Sequence, residues 1–330
     1  MDFLTLAFMQ RALIAALLAG LTSPAIGAYI VQRRLSLLGD GLGHVAIAGV
    51  GLALATGTAP LPMAVAVAVA GAVIIELLRQ SGRASADVAM AILFYGGLAT
   101  GVLLAGLVGQ GTGMLSNYLF GSLLTITEAD LWLIAGLAAV VGAATIGLMP
   151  QLFAVCTDEE FAKTIGLRVR AYNLLIVVLA AITVTVSMRT VGLLMVSALM
   201  VVPVAAANNL FTGFRTSFFA AVVIGVVAAV SGVVGSFYLN APPGSLIVVI
   251  AIAVFVASLP LAGVLRRRQL TLPVIEITDP TPLPHQETDQ HIDHSHGPEC
   301  GHKAVIHGDH TDYLHNGHRH AAHGDHYDEH

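Results

Sequence analysis

Eight long neutral stretches separated by short charged islands set the limits on what this chain can become. They run over residues 12–32, 61–78, 88–108, 131–155, 171–188, 190–207, 216–239 and 245–265, each near the ~20 residues that an α-helix needs to cross a bilayer's hydrocarbon core. In lipid the backbone must satisfy its own hydrogen bonds, and long apolar segments do so as helices. Hydrophobic residues make up 56% of the chain and charged ones 11%, so the sequence predicts an all-α polytopic membrane protein with eight or nine transmembrane helices over residues 1–268. A further apolar stretch, 43–57, is shorter; at ~1.5 Å per residue it does not comfortably cross a ~30 Å core, and it reads as a half-helix or a helix held inside protein.

Loop charge predicts orientation. Arg33 and Arg34, Arg79 and Arg83, Lys163 with Arg168 and Arg170, Arg215, and Arg266 to Arg268 fall on alternate loops if nine segments cross, which makes those loops cytoplasmic. The opposite loops, Gln110 to Thr127 and Asn240 to Gly244, lack positive charge. The N-terminus is then outside and the C-terminus inside, with Arg189 the one misfit. The first apolar stretch exceeds the ~7–15 residues of a signal-peptide core and reads as a retained helix. Cys156 and Cys300 are the only cysteines, which implies no disulfide framework.

One polar run stands between two apolar stretches: Arg33-Arg34-Leu35-Ser36-Leu37-Leu38-Gly39-Asp40-Gly41-Leu42-Gly43-His44. Asp40 and His44 are four residues apart and share a face if the segment is helical. A carboxylate at the edge of an apolar segment is costly without a partner or a metal, which marks the pair as a candidate site. The competing reading has Asp40 capping the helix at 43–57 and His44 packed in protein. Elsewhere, Asp87 reads as an N-terminal cap or dipole partner and Glu76 as a partner of Arg79 and Gln80. Asn208 and Asn209 end an apolar helix, and Pro203 predicts a kink that serves gating or packing. The pairs Gly39/Gly43 and Gly97/Gly101, with Gly121, allow helices close approach.

Between the fifth and sixth stretches, Thr157 and Glu160 have capping-box spacing and Gly166 is placed to end a helix in the left-handed conformation. A short cytoplasmic helix is predicted at 158–165. Phe161 and Ile165, four apart, put two apolar knobs on a charged surface, as a docking helix does. Lys163 and Lys303 are the only lysines, neither in a phosphate-cradling loop, and no His-Glu-x-x-His or Gly-x-Ser-x-Gly motif is present. Transport is favoured over catalysis, and any ATP use must reside in another subunit.

Several of these blocks resemble the permease subunit of bacterial zinc/manganese ABC importers: 33–50, Ile92 to Gly101, Tyr118 to Ser122, Asp158 to Leu167, and Val191 to Ala207 around Pro203. The resemblance spans about residues 5–265. It implies a homodimeric permease with a fold like that of the cobalamin and iron-chelate importers. Two ATP-binding cassette subunits would sit on the cytoplasmic side of the bacterial cell membrane and a metal-binding protein outside. Asp40 and His44 match the family's intramembrane metal-binding pair. The block carrying Asp158, Glu160, Phe161, Ala162, Ile165 and Gly166 matches the element that couples to the ATPase. Many relatives carry a bulkier residue where Gly41 or Gly43 stands, a departure that would loosen the helix around the pair. No cofactor is expected to be permanently bound: Zn²⁺ is cargo, and carboxylate oxygen with imidazole nitrogen suits Zn²⁺ and also Mn²⁺.

The tail is a second signal. Of the chain's 14 histidines, 13 lie between His285 and His330. The charge divides as well, net +4 over 1–268 and net −9 over 269–330, so a disordered, acidic, His-rich cytoplasmic tail is predicted from about Pro273. His291, His294, His296, His318, His320, His323 and His326 are candidate ligands, and their abundance favours Zn²⁺ over the oxygen-preferring Mn²⁺. The leading function is thus an ATP-driven zinc importer's permease. Its alternatives are a manganese or iron importer of the same kind, a secondary zinc transporter with a His-rich regulatory tail, and a metal-dependent membrane enzyme, for which the sequence offers no general base beside the pair.

Overall fold

The computed structural model describes residues 7–81, 86–108, 118–119, 121, 126–188, 191–269, 286–288, 301–307, 310–315, 318–323 and 326–329. The chain divides into two compact units, Met1–Leu270 and Thr271–His330.

The first unit is helical: α1 (Ala7–Gln32), α2 (Leu38–Thr56), α3 (Pro60–Gln80), α4 (Ala86–Ala91), a π-turn (Ile92–Gly96), α5 (Gly97–Leu107), α6 (Glu128–Gly147), α7 (Met149–Thr157), α8 (Glu159–Thr164), α9 (Val169–Met188), α10 (Leu193–Leu210), α11 (Phe214–Leu239) and α12 (Pro243–Gln269). Among the described residues eight helices are long and apolar enough to cross a membrane, while α10 carries a shorter apolar run, Met195–Leu210. α2 packs between α3 and α5 and also meets α9 and α10; α1 lies along α11. This places α2 at the heart of the bundle, with 78% of its apolar window buried.

Two helices differ from the sequence reading. The 43–57 stretch belongs to a 19-residue helix that begins at Leu38, so it is of spanning length and takes in Asp40. Gly39, Gly41 and Gly43 weaken an isolated helix, but neighbours fill the room they leave. A Cβ on Gly43 would stand 1.9 Å from Leu193 Cδ1, and one on Gly41 3.3 Å from Leu93 Cβ. Packing, not intrinsic propensity, therefore holds this turn helical, and the glycines do not loosen it. The second difference is a break at Leu148 that divides 131–155 into α6 and α7. Pro150, in the first turn of α7, has no N–H to continue the ladder from α6.

Gly97 shows how close these helices come. A Cβ there would lie 2.6 Å from the backbone carbon of His44 and 2.6 Å from Val45 N, so α5 rests on the backbone of α2 beside the predicted site.

The second unit departs from the predicted disorder. Strands β1 (Gln286–Thr288), β2 (Lys303–His307), β3 (His310–His315), β4 (His318–His323) and β5 (His326–Glu329) form an antiparallel sheet of order β1-β5-β4-β3-β2. Composition predicts disorder because apolar residues are few. The local pattern opposes it: Gly308-Asp309, Asn316-Gly317 and Gly324-Asp325 fall at eight-residue spacing, the first between runs carrying Val305 and Ile306 and Thr311, Tyr313 and Leu314, and such two-residue links are the sequence signal for tight hairpins.

Candidate metal centre

Asp40 lies in the first turn of α2, and the N-cap, Leu37, makes no side-chain cap. Asp40 therefore does not cap the helix. Its Oδ1 accepts a short hydrogen bond from Ser197 Oγ on α10. The α2 dipole favours a carboxylate at this end of the helix and opposes a cation there, which moderates the affinity of any ion that Asp40 holds.

His44 is one turn further on and buried. Its Nδ1 lies 2.7 Å from the backbone oxygen of Asp40. A carbonyl only accepts, so Nδ1 carries the hydrogen and, in the neutral ring, Nε2 keeps its lone pair. The Phe94 ring stands 4.0 Å from the imidazole, centroid to centroid. Phe94 belongs to the π-turn Ile92–Gly96, a local underwinding of the helix of the kind that recurs at functional sites.

A cavity of about 450 Å³ opens beside Asp40, lined also by Arg34, Leu37, Gly41, Met90, Phe94 and Tyr95. Asp40 faces this cavity, whereas His44 sits beyond Phe94 and is not part of its wall. The structure thus brings an acid, an imidazole and a hydroxyl to one region of the bundle core. Among the described residues no three His, Cys, Asp or Glu side chains converge as a metal site. Ser197 was not singled out in the sequence; the available signal was a polar residue inside an apolar helix, which periodicity alone cannot pair with Asp40.

A second polar cluster joins the start of this region to the predicted coupling element. Arg33, whose side chain is 5% exposed, donates from Nη2 to Glu159 Oε1 at 3.3 Å. Asn173 Nδ2 donates to the same oxygen at 3.0 Å. Burial pulls the Arg33 guanidinium below its ordinary range, and Arg79 adds to the fall while Glu76 and Glu159 oppose it. Glu76 is held as the sequence predicts, by Arg79 at 2.9 and 2.7 Å and by Gln80 at 2.9 Å. Cys156 lies close by, and burial pushes its thiol up to about 12.

The element predicted to couple is the short helix α8, with a different cap from the one predicted. Asp158, rather than Thr157, is the N-cap: its Oδ1 accepts from Glu160 N at 2.9 Å and Phe161 N at 3.0 Å. An aspartate one residue on is the better-placed acceptor for both orphan N–H groups. Ile165 closes the helix and Gly166 follows at φ +84°, a left-handed conformation that glycine adopts without strain. Ala162 is buried, whereas Phe161 and Ile165 are 57% and 54% exposed. Pro203 lies inside α10, which remains one helix through it.

Of the tail candidates, His318, His320 and His323 lie in β4 and His326 in β5. His320 is buried. His291, His294, His296 and Cys300 lie outside the described residues, as do Arg189, Phe120 and Ser122; of the 118–122 block only Tyr118, Leu119 and Gly121 are described.

Residues 5–262 match the ABC 3 transport family. A metal transport system membrane protein of Treponema pallidum is 33% identical over 265 residues, covering 79% of this chain and 98% of its own length. The manganese import system permease protein ScaB of Streptococcus parasanguinis is 28% identical, covering 80% and 94%, and the manganese transport system membrane protein MntC of Halalkalibacterium halodurans is 31% identical, covering 81% and 92%. Among solved structures, PsaBC from Streptococcus pneumoniae in complex with a Fab superposes with a TM-score of 0.73 at 28% identity, over 82% of this chain and 97% of that one. A metal-chelate type ABC transporter in an inward-facing conformation shares the fold at a TM-score of 0.61 and 16% identity. With its bundle of apolar helices and its match over nearly the whole first unit, the chain belongs to the ABC 3 transport family, as a membrane permease subunit of a metal ABC importer.

Proposed function

We propose that the chain passes a divalent transition-metal ion across the bacterial cell membrane, with Asp40 and His44 as its ligands in transit. The observation that carries this reading is the arrangement on α2: the Asp40 carboxylate at a cavity wall and, one turn deeper, an imidazole whose Nδ1 is already engaged and whose Nε2 is left for a ligand. Two protein ligands and a neighbouring hydroxyl hold an ion less tightly than a closed structural site, as release requires. Phe94, between His44 and the cavity, is placed to separate the deeper ligand from the opening.

In this reading a second copy of the chain completes the pathway, and a separate ATPase docks on α8 through Phe161 and Ile165. An extracellular or periplasmic binding protein delivers the metal, and the C-terminal unit is cytoplasmic. Pro203 gives α10 a point of flexure near Ser197. Zinc is the proposed cargo, on the strength of the imidazole-rich tail. Manganese is the second reading, favoured by the names of ScaB and MntC. Radiolabelled zinc and manganese uptake in cells co-expressing the chain with its ATPase tests both. Zinc uptake that is lost with an inactive ATPase and with His44→Ala supports the first reading. A manganese preference replaces it with the second, and uptake surviving the inactive ATPase overturns the ATP-driven reading.

A further inference from the structure

The C-terminal unit carries a repeat that lies beyond the residues matching the family. His307-Gly-Asp-His310, His315-Asn-Gly-His318 and His323-Gly-Asp-His326 recur every eight residues, each with a histidine on either side of a two-residue, glycine-containing link. In the sheet those flanking histidines are direct cross-strand partners: His307 with His310, His315 with His318, and His323 with His326.

Register extends the pairs into rows. Asp312 stands opposite Ala321; the same register, two residues on, sets His310 opposite His323. Four neighbouring strands thus place His307, His310, His323 and His326 in one line across an end of the sheet, and directly opposed residues share a face. At the other end Lys303 stands opposite Leu314, which sets His302 opposite His315 and makes a second row of His302, His315 and His318. The rows are separated by an odd number of residues along β3 and β4, so they occupy opposite faces. Asp312 and Asp328, each two residues in from a histidine of the first row, share that row's face, and Asp312 is buried.

We propose that this sheet is a multi-ion module for a borderline divalent cation, Zn²⁺ foremost, in which the histidine pairs closing the hairpins are the ligands, one ion to a pair. The proposal rests on the reading of the tail as metal-binding, and adds to it His307, His310 and His315 and an order in space. Opposed positions of an antiparallel pair are ~5 Å apart at Cα, a separation that two imidazoles bridge around one ion at the ~2.0–2.1 Å distance of a Zn–N bond. Carboxylates in the next position of the same face, or water, complete the coordination. The strands are three to six residues long and Ile306 is exposed. A sheet with so small a core gains much of its stability from ions that staple its strands.

The test uses the purified full-length protein carrying Asp40→Ala and His44→Ala, so that the transport pair is not counted, and measures Zn²⁺ retained per chain after dialysis. Two swaps preserve composition and move an imidazole to the other face: His310→Thr with Thr311→His, and His326→Tyr with Tyr327→His. Each is expected to lose one ion, whereas Val305→Ile with Ile306→Val, which moves no imidazole, loses none. Unchanged zinc content in the two row swaps overturns the register assignment. Unchanged content after deletion of 273–330 overturns metal binding by the tail itself, and neither result bears on uptake by the permease. Hydrogen exchange over 303–329 is the second readout: added Zn²⁺ should slow it in the native tail, and identical exchange with and without Zn²⁺ also overturns the proposal.

Discussion

The hydrogen bond between His44 and Asp40 joins a ring nitrogen to a backbone oxygen, Nδ1 to carbonyl at 2.7 Å, and the Asp40 carboxylate is engaged instead by Ser197. The two groups on α2 are therefore not an acid–base couple consuming one another. Each is oriented by a different partner, and the two bonds leave Nε2 of His44 and the second carboxylate oxygen of Asp40 unused.

His44→Ala and Asp40→Ala are expected to abolish metal uptake while leaving expression and thermal stability close to wild type. His44→Gln retains a hydrogen-bonding side chain but no imidazole and should fail as well. Wild-type uptake in either alanine variant removes the pair from the pathway.

Ser197→Ala should lower uptake about ten- to hundredfold, as expected for loss of a hydrogen bond to a charged group at ~1.5–3 kcal/mol, and Ser197→Thr should restore most of it. Uptake measured over a range of metal concentrations separates the effect on apparent affinity from that on maximal rate. An unchanged profile would mean that Ser197 only packs.

Gly97→Ala places a methyl 2.6 Å from the His44 backbone. Overpacking of this kind costs ~1–3 kcal/mol, and here the strain falls on the site, so uptake should drop more than the melting temperature suggests. Gly106, with open space around it, is the control: Gly106→Ala should leave uptake unchanged.

Arg33 and Glu159 should show coupling. Glu159→Gln leaves a buried guanidinium with a weaker partner, and Arg33→Ala leaves Glu159 Oε1 with Asn173 as its remaining donor; a double-mutant cycle on stability should give an interaction of about 1 kcal/mol, reduced from the buried-pair range because the carboxylate is 43% exposed. Strict additivity would show that the contact carries no energy. On α8, Asp158→Ala should cost the helix ~1 kcal/mol of cap. Phe161→Ala should weaken ATPase association in pull-down with little change in melting temperature, since its ring is largely exposed.

With a Cys300→Ser background, Cys156 should resist alkylation at neutral pH. A thiol pushed up to about 12 stays protonated far past the ordinary cysteine range, so its modification rate should keep rising with pH beyond 9 instead of levelling there. A plateau near pH 9 would show that the burial around it opens readily.

The spanning segments, the Asp40/His44 pair, the α8 helix and the metal-permease identity were legible in sequence because each is written locally, as long apolar runs, i and i+4 spacing, turn chemistry or contiguous family blocks. The start of α2 was not. Three glycines argue against a helix at 38–43, and the packing of Leu93 from the π-turn and of Leu193, Ser197 and Met200 from α10 reverses that. The break before Pro150 and the cap at Asp158 were one-residue decisions between plausible neighbours, settled by which N–H groups lacked partners. In the tail, composition spoke for disorder while the hairpin spacing spoke for strands, and pairing across strands decided between them. The sequence by itself determined which residues could reach lipid, metal or partner; tertiary structure alone decided that Ser197 holds Asp40 from 157 residues away, because a hydrogen bond between two helices depends on how they pack and not on anything either strand of sequence contains.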